Sequence, residues 1–274
     1  MTLVNDPDVK LLILIVLVAG LAGATWYFWD DIRPQLERPL VMEAAPVVDE
    51  PLVSKGPIHP LAPLSPSGSR GNDLVPLPPL DESDSYFELA LVDLFGSGLR
   101  NLLVNEALID KFVATVDNLP RSTIAEKARP VGRLASNFQT EMDGDAIKLS
   151  AANYDRYDAL VALVTNADLE LVGETYRRFY PLLQESYVRL GYPNAYFNDR
   201  VVEVIDHLLA TPEPVEPIYL VRPNVLYEFS DPDLETLSSG QKLLLRMGSE
   251  HAAIIKRVLG DLRALIVSQP NTTP

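Results

Sequence analysis

The strongest candidate for chemistry is a group of four polar residues that recur at helical spacing. They are Asp199, Glu203, Asp206 and His207. At 100° per residue, these side chains fall within an arc of about 100° on one side of a helix. Glu203 and His207 can share a divalent cation with a neighbouring aspartate, and clustered carboxylates can raise one pKa enough for general acid catalysis. The pattern therefore allows a metal-dependent or acid/base hydrolase.

The same residues also fit a simpler interpretation. The other side of this predicted helix, from about Asn198 to Ala210, is apolar, so the polar arc is what an amphipathic helix exposes to solvent. A second histidine ligand is missing nearby, because His59 lies in a proline-rich region and His251 at the start of another helix. We favour the solvated face, and we predict no catalytic residue, no bound metal and no cofactor.

A second candidate site is a concentration of positive charge in an otherwise acidic chain. Its members lie around Pro120 and Pro130, and they are Arg121, Lys127, Arg129 and Arg133. Such a loop can bind an anionic group, but it can also pair with carboxylates of its own domain. We favour the second interpretation.

Charge and composition exclude several classes of function. The 274 residues carry a net charge of -15, and a surface this acidic does not neutralise phosphates, so no nucleic acid partner is expected. The chain has no cysteine, which removes disulfides, thiolate metal sites and cysteine nucleophiles together.

The N-terminal region predicts a membrane anchor. After a tail over 1–10, the run from Leu11 to Trp29 has no charged residue and is about 28 Å long as a helix, close to the thickness of the hydrocarbon layer. The alternative is a signal peptide cleaved at Ala22-Gly23-Ala24, although the sequence stays apolar beyond that point. Both interpretations export the rest of the chain. The bias in lysine and arginine around the span does not decide its orientation.

Residues 30–80 are predicted to form a disordered, proline-rich tether. Between 39 and 80 there are ten prolines, which fix φ and lack the backbone donor that helices and sheets need. This stretch would reach about 130 Å when extended and about 35 Å as a flexible coil. A proline-rich ligand for an aromatic groove is the alternative.

Residues 81–267 are predicted to form a mainly helical domain, followed by a disordered tail over 268–274. The clearest helix covers 168–190, where apolar residues recur at spacings of three and four. Pro181 lies inside that pattern and predicts a kink or two abutting helices.

Two small β-hairpins are expected within this helical domain. The first covers 137–150 and turns at Asp143-Gly144, and the second joins 218–221 to 225–229. The turn in the first hairpin predicts that Phe138 pairs with Leu149 and Thr140 with Ile147.

Five segments carry a resemblance to a known family. They are VATVDNLPR (113–121), NYDRY (153–157), YRRFYPLLQESYVRLGYP (176–193), YFNDRVVEVIDHLLATPEP (196–214) and YEFSDPDLETLSSGQKLLLRMG (227–248). Over about Leu80 to Val267 the chain resembles an uncharacterised bacterial family, a domain of unknown function found in single-span envelope proteins of Gram-negative bacteria. The resemblance implies an inner-membrane anchor and a periplasmic domain, but it brings no catalytic residues and no activity.

These observations favour a binding or scaffolding protein over an enzyme. The chain has an anchor that inserts in the membrane through Leu11 to Trp29, a long spacer and no recognisable nucleophile–base or metal motif. We therefore expect a single-pass inner-membrane protein whose C-terminal domain lies in the periplasm and contacts another envelope protein. A hydrolase that uses the Asp199/Glu203/Asp206/His207 face is the alternative.

Overall fold

The computed structural model describes residues 56–61, 76–104, 106–124, 128–131, 138–224 and 226–267. The predicted anchor, most of the predicted tether and the C-terminal tail lie outside these residues. In the described part of the chain, no helix is long and apolar enough to cross a membrane.

The described residues form a mainly helical domain with one small antiparallel sheet. The helices are α1 (Asp84–Phe95), α2 (Leu108–Asn118), α3 (Asp158–Thr165), α4 (Leu169–Arg189), α5 (Phe197–Leu209), α6 (Pro232–Glu235), α7 (Ser239–Arg246) and α8 (Ser249–Ile266). Short 3-10 turns cover Leu80–Glu82, Ser97–Asn101, Ala151–Asn153 and Asp155–Tyr157. The predicted mainly helical fold class is confirmed.

Helix α4 is the centre of the domain, because α1, α2, α5 and α8 all pack against it. It begins at Asp168, whose side chain accepts hydrogen bonds from the amides of Glu170 and Leu171 at 2.9 and 3.3 Å. The helix runs without interruption to Arg189, so the alternative of two abutting helices at Pro181 is wrong. Pro181 lies on the exposed side of α4, where the apolar inward face is not disturbed.

Buried aromatic rings join the helices around α4. Phe87 of α1 packs on Phe179 of α4, with ring centroids 5.1 Å apart. Phe197, the first residue of α5, lies between Phe112 of α2 and Tyr187 of α4, at centroid distances of 6.2 and 5.4 Å. Because α5 begins at a fully buried ring, the N-terminal turn of that helix has a fixed position in the domain.

The two predicted hairpins form one four-stranded sheet, a pairing between them that the sequence did not predict. The strands are β1 (Thr140–Asp143), β2 (Ala146–Leu149), β3 (Tyr219–Val221) and β4 (Glu228–Phe229), and they lie in that order. Ile147 of β2 pairs with Leu220 of β3, which in turn pairs with Phe229 of β4. These side chains share the face that packs against Leu245 of α7, in a second and smaller core.

The register of the first hairpin differs by two residues from the prediction. Thr140 pairs with Leu149, and Asp143 pairs with Ala146, so the turn residues are Gly144 and Asp145. Gly144 has a φ of 60°, and an Asp143-Gly144 turn of the expected type would also have required a positive φ at Asp143. Since side chains alternate along a strand, a shift of two residues keeps each one on its predicted face.

Candidate functional site

Helix α5 carries the predicted polar face, and its buried side fixes where that face points. Val201, Val204 and Leu208 are almost fully buried, and they hold α5 against α2 and α8. The opposite side of the helix carries Asp199, Glu203, Asp206 and His207. The structure places all four along one helix, but each side chain contacts a different partner.

Asp199 binds the backbone of residues 56–61, in the region predicted to be a tether. Its two carboxylate oxygens accept hydrogen bonds from the amides of Ile58 at 3.0 Å and His59 at 2.7 Å. The side-chain amide of the preceding Asn198 donates to the carbonyl of His59 at 2.7 Å. Two consecutive side chains of α5 therefore hold three backbone groups of a segment about 140 residues earlier in the chain.

The segment 56–61 lies against the domain with alternate residues turned inward. Pro57, His59 and Leu61 are partly buried, and Leu61 packs against the main core. Ile58 is 78% exposed, so its side chain contributes little to the contact. For the part of 30–80 that the structure does not describe, disorder stays a prediction, whereas these six residues make specific contacts with the domain.

Contacts within the domain also hold the side chain of Asn198 in place. The residue is fully buried, and its Oδ1 accepts a hydrogen bond from the hydroxyl of Tyr176 at 3.1 Å. Burial raises the pKa of Tyr176 well above its usual value, which keeps the hydroxyl a donor. The Asn198 amide also donates to the carbonyl of Ile266 at 3.2 Å, so helices α4, α5 and α8 together orient this side chain.

Glu203 and Asp206 form ion pairs with two different arginines. Glu203 pairs with Arg200 of the same helix at 2.9 Å and is 65% exposed. Asp206 pairs with Arg263 of α8 through both carboxylate oxygens, at 2.5 and 2.9 Å. These hydrogen bonds raise the pKa of Arg263, and they tie the exposed side of α5 to α8.

His207 contacts Ser238, the residue that caps α7. The His207 Nε2 and the Ser238 Oγ lie 2.8 Å apart, and the same Oγ accepts a hydrogen bond from the amide of Gln241 at 3.3 Å. Burial lowers the pKa of His207, Arg200 lowers it further, and Glu203 opposes both effects. The contact attaches the start of α7 to α5.

A serine hydroxyl bonded to a histidine is also the geometry of a nucleophile and its base. Such a site needs backbone donors that can stabilise an oxyanion, and the start of a helix usually offers them. Here the amides of Ser239 and Gly240 already donate to the carbonyls of Arg121 and Leu119, at 2.7 and 3.0 Å. The first amides of α7 are therefore used to hold that helix against the end of α2.

Among the residues that the structure describes, no three histidine, cysteine, aspartate or glutamate side chains are placed to hold a metal ion. The hydrogen bonds above explain this arrangement, because the four side chains are directed to four separate partners.

The predicted basic loop is only partly described, since Lys127 and Arg133 lie outside the described residues. Arg121 pairs with Asp117 of α2 at 2.7 Å. Arg129 is 6% exposed, and its guanidinium donates to the carbonyl of Ile124 at 3.4 Å. A residue so deeply buried is a poor candidate for contact with a soluble anion.

The sequence interpretation missed a buried network around Asp117. Arg200 donates from Nε to the Asp117 Oδ1 at 2.9 Å and from Nη2 to the Asp117 carbonyl at 2.7 Å. Arg121 and the hydroxyl of Tyr192 both donate to Oδ2, at 2.7 and 3.1 Å. The ring of Tyr192 stacks on Tyr187 at 4.6 Å, so the network joins α2 and α5 to the turn after α4. The four-residue spacing between Asp117 and Arg121 was the one local feature of the sequence that indicated this network.

The lowered pKa of His207 predicts a loss of stability in acid. Because the folded pKa lies below the unfolded value of about 6.5, the unfolded state binds more protons between these two values. The stabilising effect of neutral His207 is fully present above about pH 6.5 and is lost as the pH falls through the folded pKa. In urea unfolding curves from pH 7 to pH 5, His207→Gln should therefore lose less stability than the wild type. Identical pH dependence would contradict this assignment.

Comparison with known proteins identifies a family. The family model described as "Protein of unknown function (DUF3014)" matches residues 108–263, which include α2, α5, α7 and most of α8. No curated protein and no solved structure matches the chain.

Proposed function

The chain belongs to the DUF3014 family of proteins of unknown function, and from this premise we propose that it is a binding or scaffolding protein of the bacterial cell envelope. In this proposal, residues 11–29 anchor it in the inner membrane of a Gram-negative bacterium. The helical domain then lies in the periplasm and binds another envelope protein.

One observation carries the proposal for binding. Asp199, on the face first considered for catalysis, and the buried Asn198 before it bind the backbone of the extended segment 56–61. Hydrogen bonds from backbone amides to a carboxylate are charge-assisted, and main-chain bonds combined with contacts of alternate side chains are a general mode of peptide recognition. The site has the chemistry of recognition, and none of these groups is left in a reactive arrangement.

The partners of the other polar residues support the same proposal. Asp206 is paired with Arg263, Glu203 with Arg200, and His207 with the cap of α7. A hydrolase would need at least one of these side chains free to take up a proton or to hold a metal. Two of these contacts attach α5 to α8 and to the start of α7.

A metal and crosslinking experiment tests the proposal against the hydrolase alternative. We expect elemental analysis of the purified full-length protein to find no stoichiometric metal, and we expect Glu203→Ala and His207→Ala to leave the metal content unchanged. A bound metal that either variant removes would overturn the proposal.

Photo-crosslinkers at exposed positions of the domain, such as Val215, should give discrete adducts with envelope proteins in intact cells. The complete absence of adducts would also count against binding.

A further inference from the structure

Resting on the proposed binding function, we propose that Asn198 and Asp199, at the start of α5, form a peptide site for an extended, proline-flanked segment of a partner protein. In this chain, residues 56–61 cover the site and act as an internal competitor. We refer to Asn198 and Asp199 as the peptide site.

The hydrogen bonds define which backbone can occupy the peptide site. Asp199 accepts from two consecutive amides, those of Ile58 and His59, so neither of these positions can be proline. The flanking positions are Pro57 and Pro60, which have no amide hydrogen to donate. Prolines on both sides favour an extended backbone, which lowers the entropy lost on binding. The site therefore suits a Pro-x-x-Pro segment with two free amides between the prolines.

Side-chain burial shows which positions of the bound segment contact the domain through their side chains. The inward positions are those of Pro57, His59 and Leu61, and Leu61 packs against the main core. The side chain of Ile58 is 78% exposed, so this position provides an amide and little else. A partner segment is thus expected to carry an apolar residue two positions after its second free amide.

The proposal requires that residues 56–61 leave the site when a partner segment binds. Its contacts come from six residues, and residues 62–75 join it to the next described part of the chain. A short connection of this kind gives an internal ligand an effective concentration in the millimolar range. A free segment with the same contacts must compete with it. The apparent affinity of the free segment is therefore its intrinsic affinity multiplied by the fraction of molecules in which the site is open.

A peptide-binding experiment with the full-length chain in detergent tests whether residues 56–61 cover the peptide site. The probe is a fluorescent peptide with the sequence of residues 54–63, SKGPIHPLAP, and the open variant has residues 56–61 replaced by glycine and serine. We expect the open variant to bind the probe at least about ten-fold more tightly than the wild type. Equal binding by both would overturn the role of residues 56–61 as a competitor.

Further variants test the site in the open background. Asp199→Ala should weaken binding of the probe about ten-fold or more, because two charge-assisted hydrogen bonds are lost. The matched control is Glu170→Ala, which removes an exposed acid from the first turn of α4 and should leave binding unchanged. A probe with proline in place of Ile58 should not bind, whereas one with alanine there should bind normally.

Failure of this inference can be told apart from failure of the proposed function. If the open variant keeps its helical circular dichroism spectrum but does not bind the probe, the contacts of 56–61 serve only to attach the tether, and the peptide site is disproved. Discrete crosslinks elsewhere on the domain would still support a binding protein. The absence of both results would remove both proposals.

Discussion

Asp117→Ala is expected to lower the free energy of unfolding by about 3 kcal/mol, since it leaves a largely buried arginine without its main carboxylate. The Asp117 side chain is 3% exposed and that of Arg200 is 17% exposed. Burial alone would lower the pKa of Arg200, but hydrogen bonds and charges from Glu203 and Asp117 raise it above its usual value. We place the effect near the lower end for broken buried pairs because Glu203 remains as a partner of Arg200.

The matched control uses the other carboxylate that binds the same guanidinium. Glu203 is 65% exposed, so Glu203→Ala should cost less than about 1 kcal/mol in the same urea unfolding experiment. The double variant Asp117→Ala/Arg200→Met should recover part of the lost stability, because the unpaired charge is removed with its partner. Equal effects of the two alanine variants would show that burial of Asp117 does not matter.

The sequence was informative where a short-range pattern determines structure. The apolar spacing in α4 and α5 predicted both helices to within about two residues at each end, because one face of each helix had to be buried. The glycine in the first hairpin predicted a turn at the right place. It did not fix which two residues form that turn, since this depends on the φ that each residue adopts in the folded chain.

The candidate site was only partly predictable, since its decisive contacts are long-range. Helical spacing correctly placed Asp199 and His207 on one helix, but the partner of Asp199 lies about 140 residues earlier and that of His207 lies 31 residues later. Spacing along one helix indicates which side chains share a face, but it carries no information about what packs over that face. For the same reason, the link from Asp117 to Arg200 had no sequence signal.

The contacts of the polar residues also explain why their spacing resembles a catalytic pattern. Helix α5 contacts α8, the start of α7 and residues 56–61, so its polar side has to attach three different parts of the chain. Acidic and histidine side chains suit that role because they accept hydrogen bonds from arginine, serine and backbone amides. The same residue types serve metal binding and acid–base catalysis, so composition and spacing alone do not separate the two uses.

The link between α7 and α8 depends on a glycine that no other residue can replace without strain. Gly248 has φ 85° and ψ 160°, a conformation that residues with a Cβ rarely adopt. A Cβ at this position would also lie 2.8 Å from the ring of Tyr154. Burial is the larger cause, and the nearby Glu216 the smaller one, of the rise in the pKa of Tyr154 to about 12. A shift of this ring would therefore also disturb the contact between Tyr154 and the segment before β3.

Gly248→Ala is expected to lower the free energy of unfolding by about 3 kcal/mol, from backbone strain and from the clash with Tyr154. Gly96 provides a matched control, because it has nearly the same backbone conformation, with φ 81° and ψ 162°. In the described part of the chain, no heavy atom outside its immediate neighbours lies within 4 Å of where its Cβ would be.

Gly96→Ala should therefore show the backbone strain alone, and in urea unfolding it should be less destabilising than Gly248→Ala by about 1–3 kcal/mol. Adding Tyr154→Ala to both variants separates the two causes. The ring would then be absent, and the difference between the glycine variants should largely disappear. If the difference persists without the ring, the clash with Tyr154 does not explain why glycine is needed at position 248.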